Sequence, residues 1–460
     1  MRRKKHQLSN NRSKAAAVPP EERLRQGYEA GYQKGTEKGR ADFDSVFEGT
    51  SIIIPTFNQK DLLLQCLACI EAYTTQPYEI IIVDDGSSDG TKEALQRYRK
   101  VRLAVHEANK GFAGSVNTGL MMAKGRTVLL MNNDVLVTEN WLSNLLDCLN
   151  SSPEIGAVGP VTNYIGGEQQ IEVPYTGLEG MQEFAAAYNR QSPEGAGRWM
   201  QTDRLVGFCL LMTREVVERT GYFDEGYEVG NFEDDDWMLR LRLQGLKLMI
   251  AGNAFVHHIG SVSMKSLDPV RFEQINRRNE YFYQRKWGMA QDQGTIRQLL
   301  QLADRSTGSE GWSYAECLPV QAAARSSRGF YYWLDEGKRF RIAAPAGSED
   351  KLNLTSVRLS QRELRRIPFG GEWTPEEAAR AMERVSASRQ NKLGHGSVVE
   401  LPDGRLYQID RGHRRPILTR HTTDLWGLSI RIQQALPEEL EALPEGKPVL
   451  PPVLLLSDWL

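Results

Sequence analysis

The chain has 460 residues, 40% of them hydrophobic and 25% charged, the make-up of a soluble globular protein with roughly two to four domains. A net charge of −2 excludes a general nucleic-acid binder, and no apolar run approaches the ~20 residues of a membrane-spanning helix. Cys66, Cys69, Cys148, Cys209 and Cys317 make an odd set without a disulfide framework. With no secretory signal pattern ahead of the first ordered segment, the expected location is cytoplasmic, with at most peripheral contact at the inner face of the membrane.

Residues 1–46 read as a basic disordered tail and a glycine-periodic spacer. Arg2, Arg3, Lys4, Lys5, Arg12 and Lys14 fall in a stretch without acids, and Gly27, Gly31, Gly35 and Gly39 recur every four residues. Order is expected from residue 47. Ser51 to Ile54 is a β-branched run closed by Pro55-Thr56-Phe57-Asn58, and Leu62 to Ile70 has helical spacing. Cys66 and Cys69 lie inside that helix, where two core-facing thiols are the simpler reading of a lone CxxC. A second strand, Glu79 to Val83, ends in Asp84-Asp85-Gly86-Ser87-Ser88-Asp89-Gly90-Thr91. A helix (91–100), a strand (101–105) and a glycine-rich turn with a helix (109–125) follow. They lead to Val128-Leu129-Leu130-Met131-Asn132-Asn133-Asp134. Strands alternating with helices predict a parallel, Rossmann-like α/β sheet. Its carboxyl-end polar residues are placed where such sheets bind ligands. The first strand-to-helix turn lacks a G-x-G-x-x-G phosphate loop, so the nucleotide is expected to be held differently.

These motifs resemble, in order, the family 2 glycosyltransferases of the GT-A fold. Ile54-Pro55-Thr56-Phe57-Asn58 and Val83-Asp84-Asp85-Gly86-Ser87 are similar to the family's opening. Asn109-Lys110-Gly111-Phe112-Ala113-Gly114, with Asn117, Gly119, Ala123 and Gly125, is similar to the stretch before its metal motif. Asn132-Asn133-Asp134 takes the D-x-D position, in the form common among bacterial rhamnosyltransferase-like members. The resemblance spans about residues 50–290. It implies a UDP- or dTDP-linked sugar donor, a divalent cation (Mn2+ or Mg2+), and nucleotide contacts at Pro55, Thr56, Phe57, Asp85, Lys110, Asn117 and Asn133. The departure is Asn132, a neutral and poorer ligand than the aspartate usual there. It leaves Asp134, the diphosphate and a later histidine to hold the metal.

Read as chemistry, Asp85 can accept from the imino N–H of a pyrimidine or cap the helix near Thr91. Phe57 can stack on a base or sit as a rim aromatic. Lys110 can neutralise phosphate or stay solvated. Farther on come helices at 139–150 and 181–188, a short strand at 157–159 and an apolar strand at 204–212. Gly230-Asn231-Phe232-Glu233-Asp234-Asp235-Asp236-Trp237 then leads into a helix. Acids at a helix N-terminus are favoured by its dipole, but four together repel unless a cation or proton relieves them. Glu233-Asp234-x-Asp236-x-x-x-Arg240 resembles the family's E-D-x-D-x-x-x-R element, which implies Asp234 as general base. Gly207, Glu233, Asp236 and Trp237 are then expected on the acceptor side. The resemblance also implies a metal-ligating histidine at His257-His258, with His257 favoured by register. A basic helix from Val270 to Trp287 closes the domain at residue 290.

Residues 291–325 read as linker, and 326–392 and 393–460 as two β-rich repeat units expected to fold apart from the first domain. Gly337 to Ile342 aligns with Gly404 to Ile409, and Glu363-Leu364, Pro368 and Gly370 align with Glu439-Leu440, Pro444 and Gly446. Each unit is expected as a hairpin, a short helix and a Pro/Gly turn, for binding a partner protein or glycan. The resulting expectation is an inverting, metal-dependent glycosyltransferase. Its acceptor would be a glycan, lipid-linked glycan or protein, in cell-surface polysaccharide or protein glycosylation. The rivals are a non-catalytic nucleotide- or glycan-binding scaffold and a sugar-phosphate nucleotidyltransferase.

Overall fold

The structure is a computed structural model that describes residues 45–98, 100–178, 180–195, 197–260, 268–288, 293–305, 312–343, 355–387 and 391–457. The basic tail and glycine-periodic spacer read over 1–46 lie outside these residues, apart from Ser45 and Val46. Residues Glu48–Leu460 form one compact unit.

The chain opens with β1 (Phe47–Thr56), α1 (Lys60–Tyr73), β2 (Tyr78–Asp84), α2 (Thr91–Leu95), β3 (Val101–Val105), α3 (Gly111–Met122), β4 (Gly125–Met131) and β5 (Val135–Leu136). It continues through α4 (Trp141–Asn150), β6 (Ile155–Thr162), α5 (Met181–Tyr188), β7 (Trp199–Thr202), β8 (Cys209–Thr213) and α6 (Arg214–Thr220). Then come α7 (Glu233–Arg242), β9 (Lys247–His258) and α8 (Pro269–Trp287). The nine strands form one sheet in the order β3-β2-β1-β4-β8-β6-β9-β5, with β7 on β9. The expected all-parallel sheet is corrected here. β1, β2 and β3 run parallel, but β8 runs antiparallel to both β4 and β6. Strands in the middle read as unbroken apolar runs because both faces are covered. Ile53 faces one core, with α3 and α7, while Ile52 and Ile54 face another, with α1 and α4. Gly119 lets α3 approach β1, since a Cβ there would sit 2.2 Å from Ile53 Cγ2. Cys66 is buried in the α1 core and all five cysteines are free.

The rest comprises α9 (Gln293–Arg305), β10 (Ala322–Arg325), β11 (Tyr331–Asp335), β12 (Lys338–Ile342), β13 (Ser356–Arg358), α10 (Gln361–Arg366), β14 (Phe369–Trp373) and α11 (Pro375–Ala387). The second sheet region holds β15 (Val398–Glu400), β16 (Leu406–Asp410), β17 (His413–Ile417), α12 (Arg420–Leu425), β18 (Ile432–Gln434) and α13 (Pro437–Glu441). The stretch 291–325 read as linker thus contains a helix and the first strand of the first small sheet. The sheets are β13-β10-β11-β12-β14 and β17-β16-β15-β18. Four strands of the first match the four of the second, with an antiparallel hairpin, a parallel neighbour and a short helix in each. The place of β14 is taken in the second by the isolated bridge Arg414–Glu445.

The hairpin alignment drawn from the sequence is off by one strand. The tight turn at Glu336-Gly337 (φ 52° and 71°) matches Arg411-Gly412 (φ 48° and 81°), while Gly404 turns the previous connection, as Gly329 does. The second half of the alignment holds. Arg339 N donates to Pro368 O and Arg414 N to Pro444 O, each at 2.9 Å.

The repeat units do not lie apart from the first domain. Trp237 and Trp287 share a hydrophobic core with Tyr314, Cys317, Trp426, Leu450 and Leu455. The C-terminal segment returns to the loop after α6, where Glu225 accepts from Leu456 N and Ser457 N at 2.5 and 2.8 Å. Tyr314 Oη donates to Pro451 O at 2.8 Å.

Candidate active site

The polar residues gather at the carboxyl ends of β1, β2 and β4, where the parallel part of the sheet opens. β4 ends at Met131, and Asn132 N donates to Phe208 O at 2.8 Å, which ties the loop before β8 to the Asn-Asn-Asp turn. Asn133 Nδ2 donates to Thr56 Oγ1 at 2.8 Å, linking that turn to the Pro55-Thr56-Phe57 loop. Phe57 is 41% exposed at its edge.

Asp134 is buried beside β9. Strand β9 pairs with β5, which puts His258 opposite Val135 and His257 opposite Leu136. Successive residues face opposite sides of a strand, so only one histidine can meet Asp134. It is His258, whose Nε2 stands 3.3 Å from Asp134 Oδ1. His258 Nδ1 is 2.8 Å from Tyr164 O. A proton on Nδ1, donated to that carbonyl, leaves Nε2 with a lone pair. Nε2 is buried without a hydrogen-bond partner. The preference for His257 is therefore corrected. His257 Nδ1 lies 2.8 Å from Tyr175 Oη, and burial lowers its pKa. An unsatisfied imidazole nitrogen against a carboxylate fits a divalent cation, as the donor chemistry of such ions requires. No cluster of three His, Cys, Asp or Glu that could hold a metal occurs among the described residues. Asp134 and His258 would thus share the ion with diphosphate oxygens and water.

Across the same loop stands the acidic turn. His258 stacks on Phe208 (5.2 Å, 21°), and the preceding Gly207 N donates to Asp234 Oδ2 at 2.8 Å. A Cβ on Gly207 would sit 3.1 Å from the Asp234 Cβ, so the glycine sets that carboxylate's position. Asp235 N also donates to Asp234, at 2.9 Å. Burial, with Asp235 beside it, pushes Asp234 up to about 6 despite these bonds. Glu233 is also raised well above the usual carboxylate range, by burial and then by Asp234, and its Oε2 has no hydrogen-bond partner.

The other two acids have different work. Asp235 pairs with Arg204 at 2.6 Å. Asp236, expected on the acceptor side, is fully buried with Arg240 at 2.9 Å, Lys286 at 2.6 Å and Trp287 Nε1 at 2.8 Å. Burial alone would raise it, but Lys286 and Arg240 outweigh that and hold it below the usual range. Trp237, likewise expected near the acceptor, is core. It stacks on Phe223 (5.4 Å, 5°) and its indole N–H bonds Gly221 O. An open cleft of about 510 Å³ runs past Arg204 and Val206 to Gly166 and Gly167, tied to the acidic turn through the Arg204–Asp235 pair.

Two expected nucleotide contacts are spent inside the protein. Asn117 is buried and bonds Phe223 O and N and Glu225, fixing the loop after α6. Asp85 accepts from Lys110 N and Gly111 N, and its Oδ1 stands 2.7 Å from His106 Nδ1. Those contacts anchor the 109–111 turn, while Lys110 is exposed above it. The carboxylate oxygen left without a partner here is the buried Asp84 Oδ2. Neither His106 nor Asp84 was among the expected site residues. His106 follows β3 directly, so the strand-end rule could have found it.

A mixed α/β sheet with polar residues gathered at the carboxyl ends of β1, β2 and β4 is the arrangement of the GT-A fold. Residues 51–221 match the family model described as Glycosyl transferase family 2. The chain is 27% identical over 224 residues to glycosyltransferase GlyG of Streptococcus pneumoniae, covering 46% of this chain and 72% of that protein. It is also 27% identical over 233 residues to the N-acetylglucosaminyl-diphospho-decaprenol L-rhamnosyltransferase of Mycobacterium tuberculosis, covering 45% and 75%. Chondroitin synthase of Pasteurella multocida is 26% identical over 239 residues, 46% of this chain but 24% of that protein. The crystal structure of GalNAc-T7 with UDP, GalNAc and Mn2+ superimposes with a TM-score of 0.39 at 17% identity, over 55% of this chain and 54% of that one. No helix among the described residues is long and apolar enough to cross a membrane.

Proposed function

We propose that the chain transfers a sugar, with inversion, from a UDP- or dTDP-linked donor to a hydroxyl of a glycan, lipid-linked glycan or protein. The observation that carries this reading is one loop. Phe208 packs on His258 of the Asp134 pair while Gly207 holds Asp234, so a donor site and a basic carboxylate share a single support. Asp134 and His258 would hold Mn2+ or Mg2+, which when bound neutralises the charge that builds on the departing diphosphate. Pro55, Thr56 and Phe57 form the rim for the base, and Lys110 lies where it can meet phosphate. The acceptor would enter by the 510 Å³ cleft, whose Arg204 pairs with Asp235 of the acidic turn, and bring its hydroxyl to Asp234. Its ionised carboxylate takes the hydroxyl proton as the oxygen attacks the anomeric carbon from the face opposite the leaving diphosphate. That geometry inverts the anomeric centre in a single displacement. Burial and then Asp234 push Glu233 toward its protonated form, which limits the repulsive charge beside Asp234.

The test is turnover of a panel of nucleotide sugars in Mn2+ and in EDTA, by the wild type and by Asp134→Ala. Metal-stimulated turnover of at least one donor, lost in the variant, is the expected result. Equal rates for both proteins in both media would sink the reading.

A further inference from the structure

A cavity of about 620 Å³ lies outside the transferase domain. It lies between the two repeat units, and no residue before Ala315 lines it. Its size falls in the range of small-ligand pockets. The two hairpins supply matching walls: Asp335 and Lys338 flank one tight turn, Asp410 and His413 the other. His395 bridges the hairpins, with Nε2 2.8 Å from Asp335 Oδ1 and Nδ1 3.4 Å from Asp410 Oδ1. Those two carboxylates raise His395 to about 9, so the bridge is a cation at neutral pH.

The charges in this cleft are unequally satisfied. Five Lys or Arg line it against three carboxylates. Every carboxylate is engaged within the protein: Asp335 by His395, Asp410 by His395 and Arg411, and Glu316 by Lys447 and Ser313. Lys338 and His413 occupy equivalent positions at the start of β12 and β17 and have no side-chain partner among the described residues. A cavity whose acids are neutralised and whose paired donors are not is built for an anion. It has no aromatic wall, so charge rather than stacking selects the ligand.

We propose that the cleft between the repeat units is a second, non-catalytic glycan site, which binds an acidic sugar through its carboxylate or phosphate between Lys338 and His413. The sugar half of this assignment rests on the glycosyltransferase reading, and the anionic half does not. Such a site would hold a charged unit of the acceptor while another unit occupies the cleft at Asp234.

The full chain is titrated by calorimetry with methyl β-D-glucuronide, methyl β-D-glucoside and inorganic phosphate. The same titrations use Lys338→Ala/His413→Ala and Lys338→Glu, and donor turnover is measured on each protein. Saturable glucuronide binding is expected, with the neutral glucoside weaker by at least about tenfold, since a charge-assisted hydrogen bond is worth about that much. Both variants should lose a similar factor and keep wild-type donor turnover. Glucuronide binding equal to that of the glucoside, or unchanged in the variants, overturns the site. Phosphate binding as tightly as glucuronide overturns the sugar assignment. Glucuronide binding that depends on Lys338, in a protein that turns over no nucleotide sugar, supports the cleft while refuting the transferase reading.

Discussion

His258 and Asp236 show what a side chain's partners decide that its neighbours in sequence cannot. Removing a partner outside the ligand set typically lowers metal affinity about 10–100-fold, so His258→Ala should lower Mn2+ affinity in turnover assays by at least that. His257→Ala should stay close to wild type, because its ring bonds Tyr175 and not the site. The reverse ranking would return the ligand role to His257. The positions of Asp134 after β4 and of Asp234 in the acidic turn before α7 were legible from the polar runs that follow and precede those elements. The choice between adjacent histidines was not, because it depends on the long-range register of β9 on β5. Asn117 and Asp85, expected at the nucleotide, hold loops of the protein by bonds the sequence did not disclose. Amides and carboxylates that hold loops use the same side chains that hold ligands, and only the partner in space tells them apart. Asp236, equally acidic in sequence, is part of a buried ion network.

At the scale of elements, the apolar runs of β1, β2 and β4 and the helical spacing of α1 were legible from periodicity. The antiparallel insertion of β8 was not, since a strand buried on both faces reads alike in either direction. The repeats were visible in their helix and Pro/Gly turns. Their hairpins were misaligned because glycine closes both turns of each unit, and Gly404 stood in for Gly412. The His395 bridge joins those units with a definite pH signature. Its folded pKa of about 9 exceeds the ordinary 6.5. Its stabilisation is therefore complete below about 6.5 and is lost as pH rises through about 9. The wild-type Tm should fall across that window, and His395→Gln should flatten the fall and lower Tm at pH 6. Parallel Tm curves for the two proteins would contradict the bridge.

For the whole molecule, the continuous core makes the repeat units structural partners of the transferase domain. A chain ended at residue 290 would uncover Trp237 and Trp287 and strip Glu225 of its bonds to Leu456 and Ser457. Burying a large side chain is worth about 1.5–3 kcal/mol, so such a truncation should be insoluble or lose cooperative unfolding by calorimetry. A soluble product melting as the full chain does would show that the domains are independent. This coupling was illegible in the sequence, where a polar stretch between two patterned regions reads as a linker whatever it packs against. The central claim concerns Asp234 as the base of an inverting transfer, and the most direct measurement is proton NMR of the transfer reaction, wild type against Asp234→Asn, across pH. The account predicts a product with the anomeric configuration opposite to the donor's and a wild-type rate that rises with pH through about 6. It also predicts an Asn variant slower by about 10²–10⁴-fold that has lost this limb. A retained anomer, or an Asn variant at wild-type rate, would contradict it.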